Sequence, residues 1–213
     1  RILNLLDKYD IKSTFFVPGH TIDTYPEVCK EILARGHEIS HHGYVHEDPT
    51  DLPLKEEEEI FVKGLEALDR IGVKPLGYRS PGFDFSPNTI SILEKYDIKY
   101  DSSLMGQDFY PYCPAPCKVV EMPASWYMDD FPHSEFIMTR TGMKPQSQIF
   151  EIWSTTFDYG VDNTQNGLLN VAMHPQVIGR PHNIVMLEKF IRHALDRGAW
   201  IAPFAEIYKA VEF

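Results

Sequence analysis

Short β-rich runs alternate with amphipathic helical runs along the whole chain, and that alternation restricts the fold to βα units rather than a helical bundle or an all-β sandwich. Ile2, Leu3, Leu5, Leu6 and Tyr9 recur at helical spacing and stop at Asp10, before a strand-like run over 11–17 that ends at Pro18 and Gly19. A helix is expected over 26–34, with Val28, Ile32 and Leu33 on one face and Gly36 as its left-handed stop, followed by a short strand over 37–40. The next helix spans 54–71. Its Glu56 to Glu59 sit in the first turns, where the helix dipole favours carboxylates, and read as a solvated face. A strand over 76–79, a helix capped by Ser86 with Pro87 at its first position, and a strand over 98–102 follow. Residues 105–118 form a long loop rich in proline and tyrosine, of a length that is uncommon unless it covers a site. Beyond it, strands are expected over 119–122, 168–173 and 199–204, and helices over 146–157 and 184–195; the apolar run 168–173 has the composition of a strand buried on both faces. About seven strands without a linker or repeat imply an α/β fold, a distorted (β/α) barrel, with 1–213 as a single domain.

The charge balance narrows the partners. Twenty Lys and Arg against 31 Asp and Glu give a net charge of −11, which argues against nucleic acid and anionic membrane surfaces, since both are held through neutralised phosphates. No apolar run approaches the roughly 18 residues of a membrane span. The 3 cysteines make no disulfide framework and favour a reducing compartment, so a cytoplasmic location is the expectation; Cys113 and Cys117 lack two further ligands at metal-binding spacing and read as loop thiols.

In a βα barrel the active site is built by loops after the carboxyl ends of the strands. Four such ends carry polar clusters. After the second strand, His41, His42 and His46 fall within six residues, with Gly43 and Pro49 excluding a helix. Lone histidines are usually surface or capping residues, but three at one strand end favour a functional cluster, and a turn there can converge two imidazoles on a divalent ion. Arg79, followed by Ser80, Pro81 and Gly82, can aim a rigid guanidinium at a carboxylate or remain a surface residue before a turn. His174 closes the 168–173 run where a catalytic acid or base belongs, the alternative being a satisfied core histidine. The fourth end is weaker: Trp126, Asp129 and Asp130 in a loop, with Asp101 on the preceding strand, where the aspartates read first as loop caps and second as ligands.

The segments TFFVPG at 14–19, GHEI at 36–39, HHGYVHEDP at 41–49, YRSPGF at 78–83 and MHP at 173–175 resemble, in order and over essentially the whole chain, the polysaccharide deacetylase (NodB homology) family of carbohydrate esterases. The segments around Asp101, around Asp129 and Asp130, and at 176–181 further resemble the branch that contains peptidoglycan deacetylases and hydrolases of allantoin or cyclic imides. The resemblance implies a metal, usually zinc or another divalent transition ion, held by one Asp and two His. The two His fall on His42 and His46. Arg79 matches the arginine that orients the catalytic base, and His174 matches the histidine that protonates the leaving group. The family's first motif, a strand with the metal-binding and base aspartates, is expected before residue 1 and is missing from this chain. In the allantoin-hydrolysing members the position matching His46 is not a histidine and the metal is lost; His46 therefore implies metal retention.

The implied activity is metal-dependent hydrolysis of non-peptide C–N bonds, with an N-acetyl amino sugar of a peptidoglycan-type polymer as substrate. The alternatives are a small cyclic amide or imide as substrate, or a barrel that binds a sugar or metabolite without turnover. A sheet edge left by an incomplete first strand would also suit a homo-oligomer.

Overall fold

In the computed structural model, which describes residues 1–114, 118–137, 140–141 and 143–210, a five-stranded parallel sheet carries the predicted βα order. β1 (Thr14–Val17), β2 (Glu38–His41), β3 (Gly77–Tyr78), β4 (Tyr100–Asp101) and β5 (Val120–Glu121) pair in sequential order. Such an order never reverses and so lacks the switch point of a doubly wound sheet. The chain divides into two compact units. A sheet unit comprises Lys12–Leu104, Pro111–Met122 and Ala202–Phe213, and a helical unit comprises Arg1–Ile11, Met105–Tyr110 and Pro123–Ile201.

In the sheet unit the helix Leu54–Arg70 approaches β2 through small residues. Gly64 faces His41, and Gly19 lies against Ala67 and Gly64, so two helices and the strand come closer than side chains at those positions would permit. The acidic start of this helix is only partly a solvated face. Glu57 is buried and its carboxylate accepts the hydroxyls of Ser86 and Thr89, while Glu58 accepts Tyr96 at 2.6 Å. Ser86 does form a capping turn, receiving the Asn88 N–H at 2.8 Å, but the helix begins later, at Thr89.

Two of the expected strands do not form. Residues 199–203 make no ladder, and the helix Phe204–Ala210 begins where the strand was expected to continue. Pro203 has no N–H to give a sheet, and its carbonyl instead starts the helix by accepting Glu206 and Ile207 N–H. In the helical unit, 168–173 contributes a single parallel bridge, Ala172 with Asp129. Asn170 and Ala172 are buried whereas Leu168, Leu169, Val171 and Met173 stay partly exposed, so the apolar run is not enclosed on both faces. The sheet therefore has five strands rather than seven. A separate antiparallel pair, β6 (Phe136–Ile137) and β7 (Arg140–Thr141), was not anticipated.

The helical unit is organised by the helices Gln146–Asn163 and Pro181–Asp196, whose Trp153 and Phe190 rings meet edge to face at 5.5 Å. The 105–118 loop is divided between the units. Phe109 packs on Gly160 in the helical unit, and Tyr112 exchanges two backbone hydrogen bonds with Glu121 in the sheet unit. Cys29 is a buried thiol and Cys113 an exposed one; Cys117 lies outside the described residues. Among the described residues no helix is long and apolar enough to cross a membrane.

Glu38 ties the sheet to the helix Phe204–Ala210. Its carboxylate accepts Tyr100 O–H at 2.7 Å, Thr14 O–H at 2.5 Å and Ala205 N–H at 3.0 Å, and the Thr14 hydroxyl in turn accepts Phe204 N–H at 2.8 Å. The carboxylate thus satisfies the otherwise orphaned Ala205 N–H as well as a buried phenol, and through Thr14 it supports the acceptor of Phe204 N–H. We expect Glu38→Ala to lose about 2–4 kcal/mol of stability, because hydrogen bonds to a charged group are worth about 1.5–3 kcal/mol and the Tyr100 hydroxyl loses its carboxylate acceptor, keeping the hydroxyls of Ser40 and Thr14. Urea unfolding measures this, and an unchanged midpoint would refute it.

Candidate active site

At the carboxyl end of β2 the three clustered histidines separate into two kinds. His41 is fully buried, stacked on Phe61 with ring centroids 4.2 Å apart, its Nε2 2.9 Å from the Phe61 carbonyl and its Nδ1 accepting Gly43 N–H at 3.2 Å. That pattern requires a neutral ring with the proton on Nε2, and burial pushes its pKa down to about 4. His41 is a structural residue. His42 instead donates from Nδ1 to the Arg79 carbonyl at 2.7 Å, which places the lone pair on Nε2. A backbone carbonyl on one ring nitrogen is the usual means of orienting a metal-ligating histidine through the other. Enclosure of the ring also holds its pKa below the ordinary imidazole value and keeps it in the neutral form a metal requires.

The His42 and His46 rings lie edge to face with centroids 5.0 Å apart. Helix geometry is not needed to bring them together. Gly43 and His46 both have positive φ, and Glu47 accepts the N–H groups of Tyr44 and Val45 at 2.9 Å each, so the turn is closed by its own side chain. The pair fits a divalent ion in donor type. Among the described residues no third ligand atom joins it at close range; the one group of three whose ligand atoms all lie within 4.8 Å is Asp129, Asp130 and His174.

Arg79, at the end of β3, is held as a rigid fork. Nε donates to the Ser102 carbonyl and Nη2 to its hydroxyl, both at 2.8 Å, and the guanidinium lies over Phe16 at 4.4 Å from the ring centroid. The guanidinium is held rigid, and these bonds go to Ser102 rather than to a carboxylate.

In the helical unit His174 stands at the N-terminus of the short helix Pro175–Ile178. Its Nδ1 is 2.8 Å from Asp130 Oδ1, and its backbone N–H is shared between both Asp130 oxygens at 3.0 and 3.1 Å. The aspartate pair, read first as loop caps, divides its labour. Asp129 does cap, accepting Phe131 N–H at 2.7 Å, whereas Asp130 orients the imidazole. With Nδ1 committed to the carboxylate, any proton exchange by the ring would use Nε2, the geometry by which an aspartate can fix a histidine tautomer. Asp130 is buried, and desolvation outweighs its bond to His174, so its pKa is raised. The sequence signal for Asp130 was present, since a histidine in acid–base work needs an orienting carboxylate, but its partner lies 44 residues away.

The family profile described as "Polysaccharide deacetylase" matches residues 1–100, the stretch that includes His42, His46 and Arg79. The peptidoglycan deacetylase of Helicobacter pylori is 34% identical over 91% of this chain and 76% of its own. A Mycobacterium smegmatis structure described as a polysaccharide deacetylase superposes with a TM-score of 0.88 at 33% identity, covering 99% of this chain and 75% of that one. The structure of Puue allantoinase superposes at 0.84 with 25% identity, covering 98% and 70%. These likenesses define a hydrolase acting on carbon–nitrogen bonds other than peptide bonds. The chain belongs to the polysaccharide deacetylase family.

Proposed function

We propose that residues 1–213 are one catalytic domain, a distorted β/α barrel, that removes N-acetyl groups from an amino sugar of a peptidoglycan-type substrate with the help of a divalent ion. The observation that carries this reading is the fixed tautomer of His42: Nδ1 is committed to the Arg79 carbonyl, and the ring beside His46 is left ready to ligate through Nε2. The H. pylori relative supports the substrate class.

In this reading His42 and His46 hold the ion. A bound divalent ion such as zinc polarises an amide carbonyl and lowers the pKa of water toward about 7. Arg79 supplies fixed positive charge for an acidic group or developing oxyanion. His174, oriented by Asp130, gives the proton from Nε2 to the departing nitrogen as the C–N bond breaks, so that water oxygen ends in acetate and the sugar leaves as a free amine.

Acetate release from N-acetylated peptidoglycan fragments, with and without chelator and added zinc, tests the proposal. Zinc-dependent acetate is the expected result. Ring opening of a cyclic amide or imide without acetate would favour the allantoinase-like reading, to which the Puue superposition lends support, and binding without turnover would favour a sugar-binding barrel. We further expect His42→Ala to lose the bound ion on dialysis while His174→Ala retains it, as read by metal analysis. Unchanged stoichiometry in His42→Ala would remove it from the ligand set.

A further inference from the structure

Two buried carboxyl groups at the ends of β4 and β5 have no part in the roles above. Asp101 and Glu121 are register partners in the parallel ladder, so their side chains stand next to each other on one face of the sheet, and they are only 2% and 0% exposed. Like charges placed side by side are destabilising even on an open sheet, and here water cannot screen them.

The hydrogen bonds show how the conflict is resolved. Glu121 Oε1 accepts the N–H groups of Ser103 and Leu104, each at 3.0 Å. Asp101 accepts the Ser103 hydroxyl on Oδ1 and the Ser103 N–H on Oδ2, each at 2.9 Å. Among the described residues no N–H or hydroxyl donor reaches Glu121 Oε2, and the side chain that interacts with the Glu121 carboxyl is that of Asp101. An acid with two donors on one oxygen, none on the other and a second carboxyl beside it in the ladder has the pattern of a carbonyl Oε1 and a hydroxyl Oε2. Burial, followed by the charge of Asp101, holds Glu121 well above the usual carboxylate range. Arg79 is the cation that acts on Asp101 and favours keeping the charge there.

The segment this pair grips is the one that holds Arg79. Ser102, between Asp101 and Ser103, receives both guanidinium hydrogen bonds and passes its own hydroxyl proton to the Met122 carbonyl at 2.8 Å. The Ser103 hydroxyl, which donates to Asp101, accepts Ser80 N–H at 2.8 Å. The turn after β4 is thus pinned to the residue following Arg79 on one side and to the acid pair on the other.

We propose that Glu121 and Asp101 share one proton, with Glu121 the donor, and that this pair positions Arg79 through residues 102 and 103. The positioning part rests on the role given to Arg79 above. It assigns Glu121 a place in the reaction as a neutral acid that never meets substrate.

Glu121→Gln keeps a neutral group with a donor toward Asp101 and a carbonyl toward the two N–H groups; Glu121→Leu keeps neither. Infrared spectroscopy of the wild-type chain at pH 7 should show a protonated carboxyl C=O band that shifts in D₂O and vanishes in Glu121→Gln. Solvent exchange of the Arg79 Nε–H, followed by NMR, should be slow in the wild type and in Glu121→Gln and at least about tenfold faster in Glu121→Leu, as expected when one hydrogen-bonded anchor is lost. In acetate release, Glu121→Leu should lose kcat with little change in KM, and Glu121→Gln should restore it. Absence of the carboxyl band, or Glu121→Gln exchanging as fast as Glu121→Leu, would overturn the proposal. If Glu121→Leu does not fold, the band and the Glu121→Gln exchange rate still decide. If the wild type releases no acetate, the deacetylase reading fails, while infrared and exchange still judge the pair.

Discussion

Replacing His174 by alanine should lower kcat for acetate release by about 10²–10⁴, the usual contribution of a positioned general acid, while leaving metal content unchanged. An amine is a poor leaving group until it is protonated, and in the proposed reaction His174 would protonate it from Nε2, since Nδ1 is bound at 2.8 Å to Asp130. The same logic makes Asp130→Asn nearly as harmful. An amide presenting its NH₂ to Nδ1 would stabilise the tautomer with the proton on Nε2 and a lone pair on Nδ1, remove the carboxylate that supports imidazolium, and leave a weaker acid in an unchanged backbone. The two residues act as a unit, so the double substitution should be no slower than His174→Ala alone. Steady-state kinetics of the three variants, with metal analysis of each, make the comparison. Wild-type turnover in His174→Ala would remove it from the mechanism. An active Asp130→Asn beside an inactive His174→Ala would reduce Asp130 to a loop brace.

The parts of this molecule legible in sequence are those in which local chemistry decides. β1 and β2 fall inside or one residue beyond the predicted runs, and the helix Leu54–Arg70 ends one residue from its expected stop. Alternation, Gly stops and Pro starts are properties of neighbouring residues. The His42 and His46 turn was equally visible, because Gly43 and Pro49 argue against a helix. What was not legible depends on distant partners. Residues 168–173 carry the composition of a buried strand, but a strand is a pairing, and only Ala172 finds one. Glu57 lies in an acidic run that sequence assigns to solvent; Ser86 and Thr89, 29 and 32 residues later, draw it inside. Asp130 and Glu121 were missed as working residues for the same reason, since each takes its meaning from a register or contact across the fold. His41 is the subtler case. Three histidines in six residues marked the strand end as a ligand cluster, with His42 and His46 the assigned pair; His41 turns inward because β2 ends on it, and strand alternation gives successive side chains to opposite faces.

That inward histidine leads to the largest stability effect expected here. Gly64 sits inside the helix Leu54–Arg70, where replacing glycine by alanine ordinarily stabilises by about 1 kcal/mol. At this position the sign should reverse. A Cβ on residue 64 would lie 2.4 Å from His41 Nε2, 2.8 Å from its Cε1 and 3.0 Å from the Gly43 carbonyl oxygen. The ring cannot give way cheaply, being stacked on Phe61, bonded to the Phe61 carbonyl through Nε2 and to Gly43 N–H through Nδ1. Moving it would break two buried hydrogen bonds, at about 1–3 kcal/mol for each group left unsatisfied, and moving the helix instead would open the packing around Ala67 and Leu68, both 0% exposed. We therefore expect Gly64→Ala to destabilise by about 3–5 kcal/mol and to lower Tm by roughly 6–20 °C, at about 2–4 °C per kcal/mol for a chain of this size. The decisive control is the same substitution in a His41→Ala background. There the obstructing ring is gone, and Gly64→Ala should be neutral or stabilising, giving a coupling between the two positions as large as the single-variant loss. If Gly64→Ala alone leaves Tm unchanged, the close packing of helix against β2 is wrong. If the loss persists without His41, the Gly43 carbonyl rather than the imidazole sets the limit on how near the helix can come.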